Sequence, residues 1–205
     1  MVYTDVGGPI SPRSREGHRF WLVIVDDFSR CPWVYFMKHK SEALEIYKQW
    51  KTDIQTHLRT EIGQEDFSKS YTRFIQSDGG TEYTNKAFRN QLRTNGTILE
   101  TSAPYTPEQN GLAEQMNQTL ATLANSMLEG SKLPKSFWAD AMSTAADISV
   151  QSLTSTLGGK VPYQVFFNRQ VNPTLFRPFG CLAYAHIPKE QWGVSSNHMG
   201  RSASC

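Results

Sequence analysis

Apolar residues form three short runs within the first 40 positions, and these runs predict β-strands. The first lies within residues 1–10 and stops at the Gly7-Gly8-Pro9 break. Residues 19–25 (RFWLVIV) are apolar almost throughout, which is typical of a strand covered on both faces. Residues 33–38 form the third run. The short turn at residues 27–30, assigned to Asp27, Ser29 and Arg30, predicts that the second and third strands pair as a hairpin.

A helix is expected to follow from Ser41, whose hydroxyl suits an N-cap position. Apolar residues then recur every three or four positions, and that spacing places them on a single buried stripe. The stripe consists of Ala43, Leu44, Tyr47, Trp50, Ile54 and Leu58. Gly63 is expected to end the helix, and the polar residues around it predict a loop at 61–70.

Strands and helices alternate through the rest of the chain. The predicted elements are a strand at 71–76, a helix at 85–94, a strand at 97–101, a helix at 112–128 and a helix from 134 to about 153. Asn95-Gly96 and Gly130 are the expected ends of the first two of these helices. A turn-rich loop is expected at residues 104–111. This order of elements predicts a mixed α/β layer fold.

The composition fits a globular domain and narrows the function only slightly. The chain has 205 residues, of which 39% are hydrophobic and 20% charged, which suits one domain with a few appended elements. No Cys-x-x-Cys pair occurs among the three cysteines, so zinc binding is not indicated, and we expect Cys31 and Cys181 to be reduced and buried. No secretory signal or apolar run of membrane length appears, so we expect an intracellular protein with no membrane partner.

Positive charge is unevenly distributed along the chain. The formal net charge is only +2, which neither requires nor excludes a nucleic-acid partner. No Lys or Arg occurs between Ser102 and Glu129, so phosphate contacts from that stretch would need polar groups or backbone amides. For four basic residues elsewhere, two interpretations are open: contact with phosphate, or placement on a solvated face. They are Lys38, Lys40, Arg89 and Arg93.

Three acidic residues occupy positions where a metal site could form. Asp5 lies within the first predicted strand, Asp78 follows a strand, and Glu114 lies in the first turn of a helix, with 35 residues between Asp78 and Glu114. Phosphoryl transfer by two metal ions needs oxygen ligands held in this way on strand ends and a helix. Each acid alone also suits a turn or a helix N-terminus, so the spacing by itself leaves both readings open.

Several sequence motifs around these acids resemble the integrases of copia-type retrotransposons, within the retroviral integrase superfamily. The motifs are TDVGGP at 4–9, VDDFSR at 25–30, SDGGTEY at 77–83, SAPYTPEQNGLAE at 102–114, FWADA at 137–141 and FGCLAY at 179–184. The resemblance extends from about Thr4 to about Glu190. It divides the chain into an integrase catalytic core at 1–155, an extension at 156–190 that resembles the segment following the core in such polyproteins, and a polar tail at 191–205 that is expected to be disordered.

The resemblance implies both a fold and a reaction. The fold is ribonuclease-H-like and α/β, with a five-stranded mixed sheet flanked by helices. Asp5, Asp78 and Glu114 are the implied catalytic residues and the implied ligands of two divalent cations, Mg²⁺ or Mn²⁺. The implied activity is DNA integration by a polynucleotidyl transferase, in which water first trims the 3′ ends of the retrotransposon DNA and the resulting hydroxyls then attack a target phosphodiester.

DNA is therefore the implied partner, both as element ends and as target. The loop at 104–111 would border the scissile phosphate. Candidate DNA-binding residues in this loop and the following helix are Tyr105, Gln109, Asn110, Gln115 and Gln118. An active protein is implied to be a homo-oligomer, because two DNA ends must be joined together, and to work in the nucleus.

Two departures from the family pattern keep alternatives open. Gly79 follows Asp78 where the family usually has Asn, and residues 115–118 (QMNQ) lack the usual basic residues, whose loss should weaken DNA binding. The typical flanking integrase regions are also absent from this sequence. These features suggest a truncated or decayed copy of an integrase. The alternatives are a catalytically inactive remnant that retains nucleic-acid binding and a metal-dependent nuclease of the same fold.

Overall fold

Five strands form one mixed sheet in the order β3-β2-β1-β4-β5. The computed structural model describes residues 1–62, 73–77, 80, 83, 86–101 and 110–184. The strands are β1 Val2–Gly7, β2 Phe20–Asp26, β3 Pro32–Met37, β4 Phe74–Ser77 and β5 Ile98–Thr101. The first three are antiparallel neighbours, whereas β4 runs parallel to both β1 and β5. This is the five-stranded mixed sheet expected from the sequence.

The strand β2 is covered on both faces, as its continuous apolar sequence predicts. Leu22 and Ile24 belong to one core cluster and Trp21, Val23 and Val25 to another. Alternate side chains of a strand point to opposite faces, so β2 supplies both halves of the core. It pairs with β3 as the predicted hairpin.

Helices cover the two faces of the sheet. They are α1 Ala43–Ile62, α2 Lys86–Thr94, α3 Gly111–Ser131, α4 Trp138–Gln151 and α5 Pro162–Phe167. Side chains of α1, α2 and α5 share one core cluster, whereas those of α3 and α4 share the other. The predicted stripe of α1 is buried at Tyr47 and Trp50, which are 1% and 0% exposed.

The prediction that Ser41 begins the first helix was wrong. A 3₁₀ turn at Lys40–Glu42 precedes α1, which begins at Ala43. The Glu42 carboxylate accepts hydrogen bonds from the backbone N–H groups of Lys38 and His39, at 3.1 and 2.7 Å. The N-cap residue is therefore His39, whose backbone N–H is bonded to this acid from inside the turn, and not Ser41.

The prediction that Gly130 ends the long helix was also wrong, because α3 continues through it to Ser131. The left-handed residue that closes α3 is Lys132, with φ 59°, and its backbone N–H donates to the Leu128 carbonyl. Glycine is the common residue at this position but a lysine can adopt it. The predicted closure at Asn95-Gly96 is confirmed, since Gly96 has φ 64° and Thr97 donates to the Leu92 carbonyl.

The residues that stabilise the turn between β2 and β3 differ in part from the predicted ones. Asp27 forms an ion pair with Arg30 across the predicted turn, at 3.2 Å. Ser29, however, donates through its backbone N–H and its hydroxyl to Asp26, at 2.8 and 2.7 Å. Asp26 is buried, and these two hydrogen bonds offset the loss of its hydration.

Several other expectations meet the structure only in part. Cys31 and Cys181 are free thiols, of which Cys31 is buried and Cys181 is only half-buried. Gly63 and the tail at 191–205 lie outside the described residues, and the domain boundary at 155 stays a prediction. Among the described helices, none combines the length and the apolar character needed to cross a membrane.

Candidate active site

Asp5 lies in the middle of β1, on the face of the sheet that α3 covers. It is directly opposite Val23 of β2, so the two side chains share a face. Val23 belongs to the core cluster beneath α3 and α4. Asp5 is half-buried, and its carboxylate points towards α3, where Asn117 donates a hydrogen bond to it.

Two buried asparagines fasten α3 to β1. Asn110, at the N-cap of α3, donates from Nδ2 to the Thr4 carbonyl at 3.2 Å. Asn117 donates from Nδ2 to Oδ2 of Asp5 at 2.5 Å. These residues are 1% and 7% exposed, and they lie seven positions apart on the same side of the helix. The first two turns of α3 are thereby aligned along the strand that carries Asp5.

Glu114 lies on this same side of α3, between the two asparagines. It follows Asn110 by four positions and precedes Asn117 by three, and helix residues at such spacings have Cβ atoms about 5–6 Å apart. Its side chain is half-buried. The structure therefore brings Asp5 and Glu114, which are far apart in the sequence, to facing positions on a strand and a helix.

Trp21 fixes the orientation of the Asn117 amide. The indole Nε1 of Trp21 donates to Oδ1 of Asn117 at 2.7 Å. An indole nitrogen can only donate, so the oxygen end of the amide must face Trp21 and the nitrogen end must face Asp5. Trp21 is itself placed by Gly7, which lies opposite it in β1, because any Cβ at position 7 would overlap the Trp21 ring.

The carboxyl end of β4 lies beside this cluster. β4 pairs with β1 in parallel, with Tyr3 opposite Gln76, and the Thr4 hydroxyl donates to the Gln76 carbonyl at 3.4 Å. Ser77 is the last residue of the strand and is buried. Asp78 comes next in the sequence and lies outside the described residues, so its predicted role as a ligand stays a prediction.

The predicted DNA-binding residues are placed unequally. Gln115 and Gln118 are exposed on α3. Asn110 is buried, and its side chain bonds to the Thr4 carbonyl inside the protein and not at the surface. Tyr105 and Gln109 lie outside the described residues.

Sequence reasoning missed the contribution of Asn117. It was noted only as part of a stretch that lacks basic residues, whereas it joins Asp5, Trp21 and α3. One signal could have indicated it: a polar residue three positions after Glu114 lies on the same helix face as the acid. Its two buried partners, on β1 and β2, are not recognisable from that spacing.

The oxygen donors present suit a hard divalent cation. Asp5 and Glu114 offer carboxylates, the ligand type that Mg²⁺ prefers, from two rigid elements. No cluster of three His, Cys, Asp or Glu residues occurs among the described residues, from which Asp78 is missing.

The sheet order, the parallel placement of β4 and the helices on both faces define a ribonuclease-H-like domain. The simian T-cell lymphotropic virus intasome, solved in complex with PP2A regulatory subunit B56 gamma, matches 84% of this chain and 55% of its own with a TM-score of 0.58 and 21% identity. The HTLV-2 integrase catalytic core domain in complex with magnesium, in its dimeric form, matches 80% of this chain and 94% of its own with a TM-score of 0.52 and 19% identity. At such identities these likenesses show the fold alone, and that fold is the one expected.

The chain belongs to the integrase core domain family, whose pattern matches residues 1–107. It is 35% identical over 93% of its length to the retrovirus-related Pol polyprotein from transposon TNT 1-94 of Nicotiana tabacum. It is 29% identical over 89% of its length to the corresponding polyprotein from transposon RE2 of Arabidopsis thaliana. The chain spans 14% and 12% of these two relatives, respectively. The resemblance to retrotransposon integrases is thus confirmed.

Proposed function

We propose that this chain is the catalytic core of a retrotransposon integrase, a metal-dependent polynucleotidyl transferase that processes 3′ DNA ends and joins them to a target. The observation that carries the proposal is the hydrogen bond from Asn117 to Asp5. It holds the helix that bears Glu114 against the strand that bears the first acid.

Asp5, Asp78 and Glu114 are the residues that would hold two divalent cations, Mg²⁺ or Mn²⁺. When bound, such ions activate the attacking oxygen and stabilise the leaving oxygen of a phosphodiester. The position of β4 supports the inclusion of Asp78. Ser77, which precedes Asp78 in the sequence, ends a strand that pairs in parallel with β1, the strand that carries Asp5.

The chain's own contribution is to hold the acids rigidly. Asn117 fixes one oxygen of Asp5, and Trp21 prevents the Asn117 amide from turning round. Buried and mutually bonded groups of this kind orient a ligand before substrate arrives, which is how the surroundings of a metal site contribute to its affinity. We assign Asn117 a positioning role.

DNA is the proposed partner, both as element ends and as target. Because the target is chromosomal DNA, the protein is proposed to act in the nucleus. Gln115 and Gln118 are exposed beside Glu114 and can hydrogen-bond to phosphate or sugar without adding charge. Tyr105 and Gln109 complete the proposed DNA-binding set, from which the buried Asn110 is left out because it bonds to the Thr4 carbonyl. A homo-oligomer is proposed because two DNA ends must be joined, and the similar viral core was solved in dimeric and trimeric forms.

The test is a strand-joining assay on the purified chain with Mn²⁺ and labelled element-end DNA. We expect Asp5→Asn, Asp78→Asn and Glu114→Gln each to reduce joining to background. Glu129→Gln is the matched control, because Glu129 is an exposed acid on the same helix, more than three turns from Glu114. A melting temperature that rises with Mg²⁺ in the parent and in Glu129→Gln, but not in Asp5→Asn, is expected alongside. Full joining activity in Asp5→Asn would contradict the proposal.

The absence of basic residues from α3 keeps a second candidate open. No Lys or Arg occurs anywhere in Gly111–Ser131, which weakens the case for tight DNA binding at the acids. An inactive remnant would bind DNA without joining or cutting it. A metal-dependent nuclease of the same fold would release shortened strands and no joined product, so the same gel separates all three outcomes.

A further inference from the structure

We propose that a second surface of this domain, a basic groove between α2 and the edge strand β5, binds the phosphate backbone of DNA that extends away from the acids. The groove is a cavity of about 740 Å³ whose polar lining includes Lys86, Arg89, Asn90, Arg93, Thr97 and Thr101. The proposal rests on the proposed function for the identity of the ligand, but it concerns residues that take no part in the chemistry.

The three cations of the groove form one line along α2. Lys86, Arg89 and Arg93 follow one another at steps of three and four, so they share a helix face, and all three are exposed. At 1.5 Å per residue the line is about 10 Å long. Phosphates advance by about 3.4 Å along each strand of a duplex, so the line spans about three of them.

Among the residues that the structure describes, no acidic side chain neutralises this line. The described part of the groove lining includes no Asp or Glu. Within the described ranges, neither Lys86 nor Arg89 nor Arg93 forms an ion pair. The half-buried Arg30 and Lys48, by contrast, form ion pairs with Asp27 and Glu45. An uncompensated row of three cations is therefore available to an anion.

Lys51 adds a fourth positive charge beneath the groove. It projects from α1, is only 7% exposed, and donates to the Thr97 hydroxyl at 3.0 Å. Thr97 lines the groove, so this buried ammonium lies directly behind its wall. The Thr97 hydroxyl is neutral, so this hydrogen bond does not compensate the charge of Lys51. A phosphate in the groove would lie close to the Lys51 ammonium, and the attraction between the two charges would stabilise the bound phosphate.

The groove leads away from the candidate active site. α2 ends at Thr94, shortly before β5 begins at Ile98, so Arg93 lies near the amino end of β5. Lys86, at the other end of α2, therefore lies towards the carboxyl edge of the sheet, where β4 ends at Ser77. A strand held at the acids can continue over Lys86, Arg89 and Arg93 in that order.

Charge distribution favours DNA over an acidic protein as the occupant. The helix that carries Glu114 has no basic residue, and none occurs between Ser102 and Glu129. Most of the affinity of proteins for duplex DNA comes from neutralised phosphates. If this domain holds DNA at its acids, the neutralising charge must lie on another surface, and the basic groove adjoins the same edge of the sheet.

The test measures duplex binding by fluorescence anisotropy at several salt concentrations, with the full chain and no divalent cation. We expect the triple variant K86Q/R89Q/R93Q to bind at least 10-fold more weakly at low salt. The slope of log K against log salt should fall by about 2 to 3 units, because each lost phosphate contact contributes about 0.9. The charge-keeping variant K86R/R89K/R93K should retain the parental slope.

The matched control is K132Q/K135Q/K160Q, which removes three exposed lysines from the opposite side of the sheet and around α5. Its slope should stay within one unit of the parental value. Equal losses in both triple variants, or a parent whose binding does not depend on salt, would overturn the groove. The groove would also be overturned as a DNA site if K86Q/R89Q/R93Q lost binding to polyglutamate but kept its DNA binding, because the occupant would then be an acidic protein.

The variant Asp5→Asn separates the two proposals. Loss of joining with an unchanged salt slope supports both proposals, whereas normal joining by Asp5→Asn contradicts only the proposed reaction.

Discussion

The Asn117 side chain holds two partners at once, and its two ends cannot be exchanged. Its oxygen accepts from the buried Trp21 indole and its nitrogen donates to Asp5. Polar groups buried without partners lose hydration and gain nothing in return. This one amide therefore matters both for folding and for the geometry of the acids.

We expect Asn117→Ala to lower the free energy of unfolding by about 1–3 kcal/mol, because it leaves the Trp21 N–H buried without an acceptor. Gln118→Ala, at the exposed neighbouring position, should change it by less than about 0.5 kcal/mol. Urea denaturation measures both. A cycle with Trp21→Phe should give a coupling of about 0.5–3 kcal/mol, and additive effects of the two substitutions would show that the hydrogen bond contributes nothing.

Lys51 gives the stability a dependence on alkaline pH. Burial lowers the pKa of its ammonium below the ordinary value of 10.5. The unfolded chain therefore binds more protons than the folded one between the lowered pKa and 10.5. The unfavourable burial of the charge is present in full below that window and is relieved as the pH rises through it.

Relative to Lys51→Met, the parent should therefore gain stability as the pH rises towards 10.5. The comparison uses the difference between the two proteins, because burial also raises the pKa of Tyr35 to about 12 and that of Cys31, and these groups act on both proteins alike. Unfolding by urea at a series of pH values measures the difference. A constant difference from pH 7 to 10.5 would show that Lys51 is not perturbed by burial.

At the scale of elements, one face of α3 both packs in the core and contacts Asp5. Its buried residues are Ala113, Asn117, Leu120 and Ala124, so small side chains flank the amide that reaches Asp5. The facing side of α4 is also rich in alanine, with Ala141 and Ala145 fully buried. Small residues let two helices and a sheet approach closely, which brings the short Asn117 side chain within reach of β1 and β2.

The strand β1 meets β2 closely enough that one glycine is obligatory. We expect Gly7→Ala to destabilise the protein by about 1–3 kcal/mol, because a methyl group there overlaps Trp21 and forces its ring off Asn117. Gly130→Ala is the matched control: it lies within α3 with open space around it and should stabilise by up to about 1 kcal/mol. Thermal unfolding of the two variants should shift in opposite directions. If Gly7→Ala left the stability unchanged, Trp21 would have an alternative conformation that avoids the methyl group.

At the scale of the whole molecule, the elements were predictable because their signals are local. The continuous apolar run of β2 and the spacing of Tyr47 and Trp50 in α1 depend only on which face of a strand or helix is buried. Errors fell at helix ends, at Ser41 and Gly130, where a few hydrogen bonds decide between nearby positions. Such choices depend on side chains such as Glu42, which propensities do not resolve.

The candidate site was predictable only through motifs, and only in part. Asp5 and Glu114 were identified by the sequence around them, and the structure places them on facing elements. Asn117 was not, because its partners Asp5 and Trp21 lie about a hundred residues away and the contact exists only after the sheet and α3 have packed. Tertiary hydrogen bonds between distant residues leave no periodic trace in a sequence.

The parallel pairing of β1 with β4 has a consequence for biosynthesis. β1 finds β2 early, but its other edge must wait for Ile75 and Gln76, which leave the ribosome much later. At translation rates of roughly 5–20 residues per second, that edge stays open for several seconds and could recruit a strand from another nascent chain. A charged side chain in the middle of an open strand discourages such mispairing. Asp5 lies in the middle of β1, so we expect its charge to discourage such mispairing until β4 has been made.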